Sequence, residues 1–277
     1  MLSDAKRPRS FYLLAAFFLL FVLFLYGPLS TIVILSFQGP DGGLTFPMNG
    51  ASFTWFKNLF EKQAVGDFGA SFKRSFTLGL MVMIVTVAVS LLAGLAFRRK
   101  FRGATALFYA TVASLVVPSI IISLGIGLLF RILGILPAWY SSAFGAHLTW
   151  TLPFGLLIMF AVLNRFDSSW EEAARDAGAT PSQILLYVTL PILFPGLIAV
   201  ALFGFTLSYD EFPRSLLTLG TRNSLPLEVA NMTSSVTTPA LYAIGTITTV
   251  ISLAVIAFAF SAIAVVQRRR SKRVTSS

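Results

Sequence analysis

Acidic and polar side chains are scarce in this chain, and where they gather they limit the chemistry available to it. One gathering is Ser208-Tyr209-Asp210-Glu211-Phe212-Pro213, at the edge of a long apolar run. Ionisable groups in or beside such runs are costly and are functional candidates by default. The carboxylates of Asp210 and Glu211 and the ring of Tyr209 can receive a cation by ion pairing and cation–π contact. The same residues can instead serve a gate, or packing against a partner. His147 is the only histidine, and a lone imidazole makes no metal site; a surface or packing role is expected for it. Asp67, Glu61 and Glu228 read as solvated charges or as contacts to a binding protein. There is no cysteine, hence neither disulfide nor thiolate chemistry. No Gly-x-x-x-x-Gly-Lys-Ser/Thr, Gly-x-Ser-x-Gly or His-Glu-x-x-His pattern occurs. The expectation is a chain with no catalytic residues, no metal and no cofactor of its own.

The second gathering is the stretch from Arg165 to Pro191, which encodes helix, tight turn, helix. Ser168 with Glu171, or Ser169 with Glu172, fits a capping box. Trp170, Ala173, Ala174 and Ala177 then fall on one apolar face. Glu171, Glu172, Arg175 and Asp176 occupy the other, where Glu171 can pair with Arg175 and Glu172 repels Asp176. Gly178 stands where a left-handed stop is needed. Thr180-Pro181-Ser182-Gln183 starts a second helix, with Thr180 as cap, Pro181 in the first turn and Gln183 closing another capping box.

The elements that hold these residues are apolar. Of 277 residues, 56% are hydrophobic and 12% charged, against about a quarter charged in soluble domains. A lipid environment is therefore the default. An all-α membrane protein of six spans is expected, at about 11–36, 76–97, 105–130, 148–163, 191–212 and 240–266. Residues 1–10 form a short basic tail, 11–266 the membrane domain with the loop 165–190, and 267–277 a basic tail. The first run is too long for a signal-peptide core and is expected to stay in the membrane. Pro118 is expected to kink the third span, and Pro153 interrupts the fourth. Gly39-Pro40-Asp41-Gly42-Gly43 reads as a turn, and Ser52–Phe56 suits the membrane surface. Six spans place both termini and the 165–190 loop on one side. Fourteen of the 21 basic residues fall on that side and seven on the other, which makes it cytoplasmic. The net charge of +10 follows from this placement and does not require nucleic acid.

The spacing Glu172-Ala173-Ala174, three residues, Gly178, nine residues, Val188-Thr189-Leu190-Pro191 resembles the EAA loop of membrane subunits of ATP-binding-cassette importers. The family pattern has Ile where Val188 stands. The resemblance implies the type I importer permease fold, a bacterial inner-membrane location and a cytoplasmic coupling helix that docks on an ATPase. It assigns coupling to Glu171, Glu172, Ala173, Ala174, Asp176, Gly178 and Pro191. It also implies the partners: two ATPase chains holding ATP and Mg, a second permease chain, different from but homologous to this one, and an extracytoplasmic solute-binding protein. Asp210-Glu211-Phe212 followed by Leu225-Pro226-Leu227-Glu228 looks like the smaller permease of spermidine/putrescine-type importers. That subgroup implies a polyamine or related cationic amine, with Tyr209, Asp210 and Glu211 on the path. Thiamine, phosphonate, iron or an amino-acid derivative remain open as cargo. A carrier driven by an ion gradient would need charges or broken helices at mid-bilayer, and the spans are nearly free of charge.

Overall fold

The computed structural model describes residues 8–59, 67–99, 101–235 and 238–274. The expectations on most of the N-terminal tail and on Glu61 lie outside these residues, as do those on the side chains of the basic C-terminal tail. The described chain is almost wholly helical. In order come α1 (Arg9–Leu35), α2 (Thr54–Asn58), α3 (Phe68–Phe97), α4 (Ala104–Ala113), α5 (Ser119–Ile132), α6 (Phe144–Leu163), α7 (Ser169–Asp176), α8 (Pro181–Ile184), α9 (Leu190–Tyr209), α10 (Leu225–Ser235) and α11 (Ala240–Val274). A π-helical turn, Trp139–Ala143, leads into α6, and another, Leu185–Thr189, joins α8 to α9. Among the described residues, five helices are long and apolar enough to cross a membrane.

Residues 1–66 and 232–251 form one compact unit. Its α1 is about 40 Å long, more than a hydrocarbon core of about 30 Å, and most of its apolar side chains are exposed. The polar loop after it is tied by the buried Gln38, whose amide donates to the Gly43 carbonyl (3.1 Å) and accepts from the Asn49 N–H (2.8 Å). The expected turn forms, with Gly42 N–H donating to the Gly39 carbonyl at 3.0 Å. The Tyr242 hydroxyl donates to Leu44 O at 2.7 Å.

The second unit, residues 67–231 and 252–277, has a core of three helices, α3, α6 and α9. On α3 the buried positions Ser71, Ser75, Gly79, Thr86, Ser90 and Gly94 are small and fall mostly four apart. Small residues let apolar helices approach closely where no hydrophobic force separates lipid from protein. Ser90 and Thr86 lie against Gly155 of α6 so closely that a Cβ there would strike the Ser90 hydroxyl. A buried hydrogen bond between the Thr86 and Thr151 hydroxyls (2.8 Å) crosses the same contact. Met159, Leu193 and Val200 fill the space between α6 and α9.

Several boundaries differ from the sequence expectation. The third span is two helices, not one kinked helix, because 114–118 leave the helix before Pro118. Proline removes a donor and disfavours helix in the residue before it. The second span begins at Phe68, eight residues early, because Asp67 caps it by accepting from Ala70 N–H at 2.9 Å. Lys73 and Arg74, ahead of the expected span, therefore lie within α3. The helix of the fourth span starts at Phe144 and runs through Pro153. The fifth span is continuous with the second loop helix, a helical run from Pro181 to Tyr209.

Candidate functional site

The 165–191 stretch folds as helix, turn, helix. At its turn, Gly178 has φ +85°. Its N–H donates to Arg175 O (2.9 Å) and that of Ala179 to Ala174 O (3.0 Å). These two bonds close a Schellman motif, which needs the left-handed residue. The expected Thr180/Gln183 capping box is complete, with Thr180 N–H donating to the Gln183 side chain at 2.8 Å.

The start of α7 is built differently from the expectation. Ser168 makes no side-chain cap. Asp167 accepts from Ser169 N–H at 2.9 Å, a turn that Asp makes with its own backbone two residues on. That bond holds its carboxyl below the usual range. Glu171 is absent from any capping box because its oxygens are engaged elsewhere. Arg98, just past the end of α3, donates through both terminal nitrogens to the two carboxylate oxygens, at 2.8 Å each. Thr189, in the π turn leading into α9, donates its hydroxyl to the same carboxylate at 2.7 Å. Arg98 thus replaces the expected Arg175 as the ion-pair partner, and Arg175 acts on Glu171 through charge alone. The Arg98 bond is the main cause holding the Glu171 carboxyl below its usual value, and Arg98 is raised in return. The guanidinium lies 4.7 Å above the Phe166 ring, which meets Trp170 edge-on at 5.6 Å. A cavity of about 400 Å³ opens beside this cluster, lined in part by Arg98, Arg99, Glu171, Arg175 and Thr189.

The remaining residues assigned to coupling lie around this clamp. Glu172, Ala173 and Asp176 are exposed, Ala174 is half-buried, and Pro191 stands in the first turn of α9. The apolar face expected from the α7 pattern is largely uncovered, with Trp170 45% exposed. Arg98 and Thr189 were not singled out by sequence reasoning. In the sequence Arg98 counts only among the basic residues that set the topology, and its partner is distant in the chain.

The second candidate cluster separates on folding. Tyr209 is buried, stacked on Phe205 at 5.6 Å, and its hydroxyl has no partner among the described residues. Asp210 is exposed at the end of α9. Glu211 is buried and accepts from the Arg214 N–H (3.0 Å) and side chain (3.4 Å). Arg214, just past the expected end of the fifth span, is fully buried. Its guanidinium also donates to Ser119 (2.6 Å) and Thr149 (3.3 Å), and lies 4.5 Å from the Trp150 ring centre. This pins the break between α4 and α5 to α6 and to the segment after α9. His147 packs beside it, bonded to Ser208 (2.8 Å) and Ser215 (3.0 Å). Glu228, read as a solvated charge or as a contact to a binding protein, is buried and accepts from Asp67 N–H (3.1 Å) and Asn223 (2.7 Å).

Comparison with known proteins agrees with this architecture. The family profile described as binding-protein-dependent transport system inner membrane component matches residues 86–272. The spermidine/putrescine transport system permease protein PotC of Haemophilus influenzae is 30% identical over 248 residues, 89% of this chain and 94% of that protein. The putrescine transport system permease protein PotI of Escherichia coli is 30% identical over 200 residues, 68% of each chain. A crystallised bacterial ABC transporter involved in import of the acidic polysaccharide alginate has a chain that superposes with TM-score 0.70 at 16% identity, covering 94% of this chain and 95% of that one. The MetNI methionine ABC transporter has a chain with TM-score 0.53 at 19% identity, covering 71% and 96%. Both solved structures share the fold. With the family profile spanning α6, the α7–α8 loop and α9, the chain belongs to the inner membrane components of binding-protein-dependent transport systems.

Proposed function

We propose that this chain is one of two permease subunits of a bacterial inner-membrane importer for a polyamine or a related cationic amine. The observation that carries the coupling half of this reading is α7. It is held at both ends by Asp167 and the Gly178 turn, yet presents Trp170, Glu172 and Ala173 outward. A rigid, uncovered, amphipathic helix fits a groove on a partner ATPase, which would hold the ATP and Mg. The second permease is a homologous, different chain, and an extracytoplasmic binding protein delivers the solute. Six spans with both termini cytoplasmic accommodate the five long helices, with α4 and α5 together supplying the sixth. Transport then follows from unequal binding. ATP and the loaded binding protein favour one arrangement of the helices and hydrolysis favours the other; neither ligand moves the equilibrium without that difference.

The cargo half rests on the relatives named for spermidine and putrescine transport, and on the exposed Asp210 at the end of α9. The test is uptake by vesicles holding the assembled importer, with ATP inside. Labelled spermidine or putrescine is expected to accumulate in competition with other diamines. Uptake displaced only by thiamine, phosphonate, ferric iron or an amino-acid derivative would assign the machinery another cargo. Uptake driven by an ion gradient without ATP would overturn the importer reading.

A further inference from the structure

We infer that Arg98 and Thr189 are positioning residues that clamp α7, through Glu171, to two membrane helices at once. The inference rests on α7 being the ATPase-coupling helix. A helix docked on a moving partner transmits that motion only if it is bonded to what must move. α7 has eight residues and would be marginal alone. The flanking turns fix its ends but do not tie it to the core. The Glu171 carboxylate does so, with a bidentate bond to the end of α3 and a third bond to the root of α9.

Three features suit this arrangement to transmission. A bidentate guanidinium–carboxylate pair fixes orientation as well as distance, so rotation of α7 is passed on along with translation. Arg98 is braced on its other side by the Phe166 ring, which restricts the swing open to a lysine. Thr189 reaches Glu171 because the chain runs through a wide π turn at Leu185–Thr189 before α9 begins; such turns are frequently found at functional positions. α3 and α9 pack directly on each other, so a displacement delivered to both at their bases moves them as one body.

The experiment uses the complete importer in lipid. The chain has no cysteine, so, with any cysteines of the partner chains replaced, spin labels at Ala96→Cys on α3 and Ala177→Cys at the end of α7 report their separation. With the clamp intact, that separation is expected to stay the same with and without ATP. In Arg98→Gln it is expected to shift by ~1–2 Å or more on ATP binding, the scale of helix shifts at interfaces. Thr189→Val, in the same labelling scheme with a second label on α9, is expected to release α9 in the same way. ATP hydrolysed per solute imported should rise roughly fivefold in both, the low end of inter-site coupling. The exchange Arg98→Glu with Glu171→Arg should restore the fixed separation in part, and Arg98→Lys should not. An ATP-dependent change of separation in the parent overturns the clamp, as does a fixed separation in Arg98→Gln. ATPase capture by each variant is measured alongside. Loss of the clamp with capture retained separates this inference from the docking role of α7, whose failure would appear as no ATPase bound to the parent protein.

Discussion

At the scale of single residues, Gly178 decides the shape of the loop. Its φ of +85° costs a side-chain-bearing residue about 1–2 kcal/mol, and a β-branched one more. Gly178→Val is expected to lose most transport while α3, α6 and α9 still assemble, read as uptake against the amount of folded protein. Glu172 is exposed, so Glu172→Lys should leave folding unchanged and weaken ATPase capture about tenfold, on the order of 1.4 kcal/mol. Binding of the purified ATPase to vesicles carrying the variant measures this. Glu171 makes a pH prediction. Its carboxyl is held below the ordinary value, so the folded state keeps the clamp's contribution above the unfolded carboxyl pKa of about 4.3. That contribution is lost as pH falls through the lower folded value. The environment of Trp170, followed by fluorescence, should be constant across the neutral range and change only below the usual carboxylate range. Gly178 and the Thr180/Gln183 box were legible in the sequence because caps are local patterns. The partner of Glu171 was not, because Arg98 lies 73 residues away and a helical i, i+4 rule pointed to Arg175.

At the scale of elements, helix contacts account for what hydropathy could not foresee. Long apolar runs announced the spans, but the stripe of small residues on α3 shows which face of that helix is inward. Gly155→Val is expected to push α6 off Ser90 and Thr86 at a cost of about 1–3 kcal/mol, seen as a lower denaturation temperature in detergent. The ends of the spans were misplaced where polar residues turned out to lie within helices. Lys73 and Arg74 read as loop but lie within α3, and His147 lies buried within α6. Arg214 is the sharpest case, since a basic residue past the end of a span reads as surface and here is a buried pin. Arg214→Met should cost about 3–5 kcal/mol by leaving Glu211 buried without its partner. Arg214→Met with Glu211→Gln should recover much of this in the same thermal measurement.

At the scale of the whole molecule, the two compact units meet the needs of a membrane subunit in different ways. The first exposes nearly all of α1, and the second buries a three-helix core while leaving α7 uncovered. Apolar surface of that extent belongs against lipid or another protein. On the proposed function, this chain works only as part of an ATP-driven assembly, with α7 as the point of contact. The most direct measurement is gentle purification of the tagged chain from its own membrane, with identification of what accompanies it. An ATPase bearing a phosphate-binding loop and a second, homologous permease are expected in fixed ratio, and Glu172→Lys should diminish the ATPase alone. A chain recovered intact, folded and reproducibly without either partner would contradict the account.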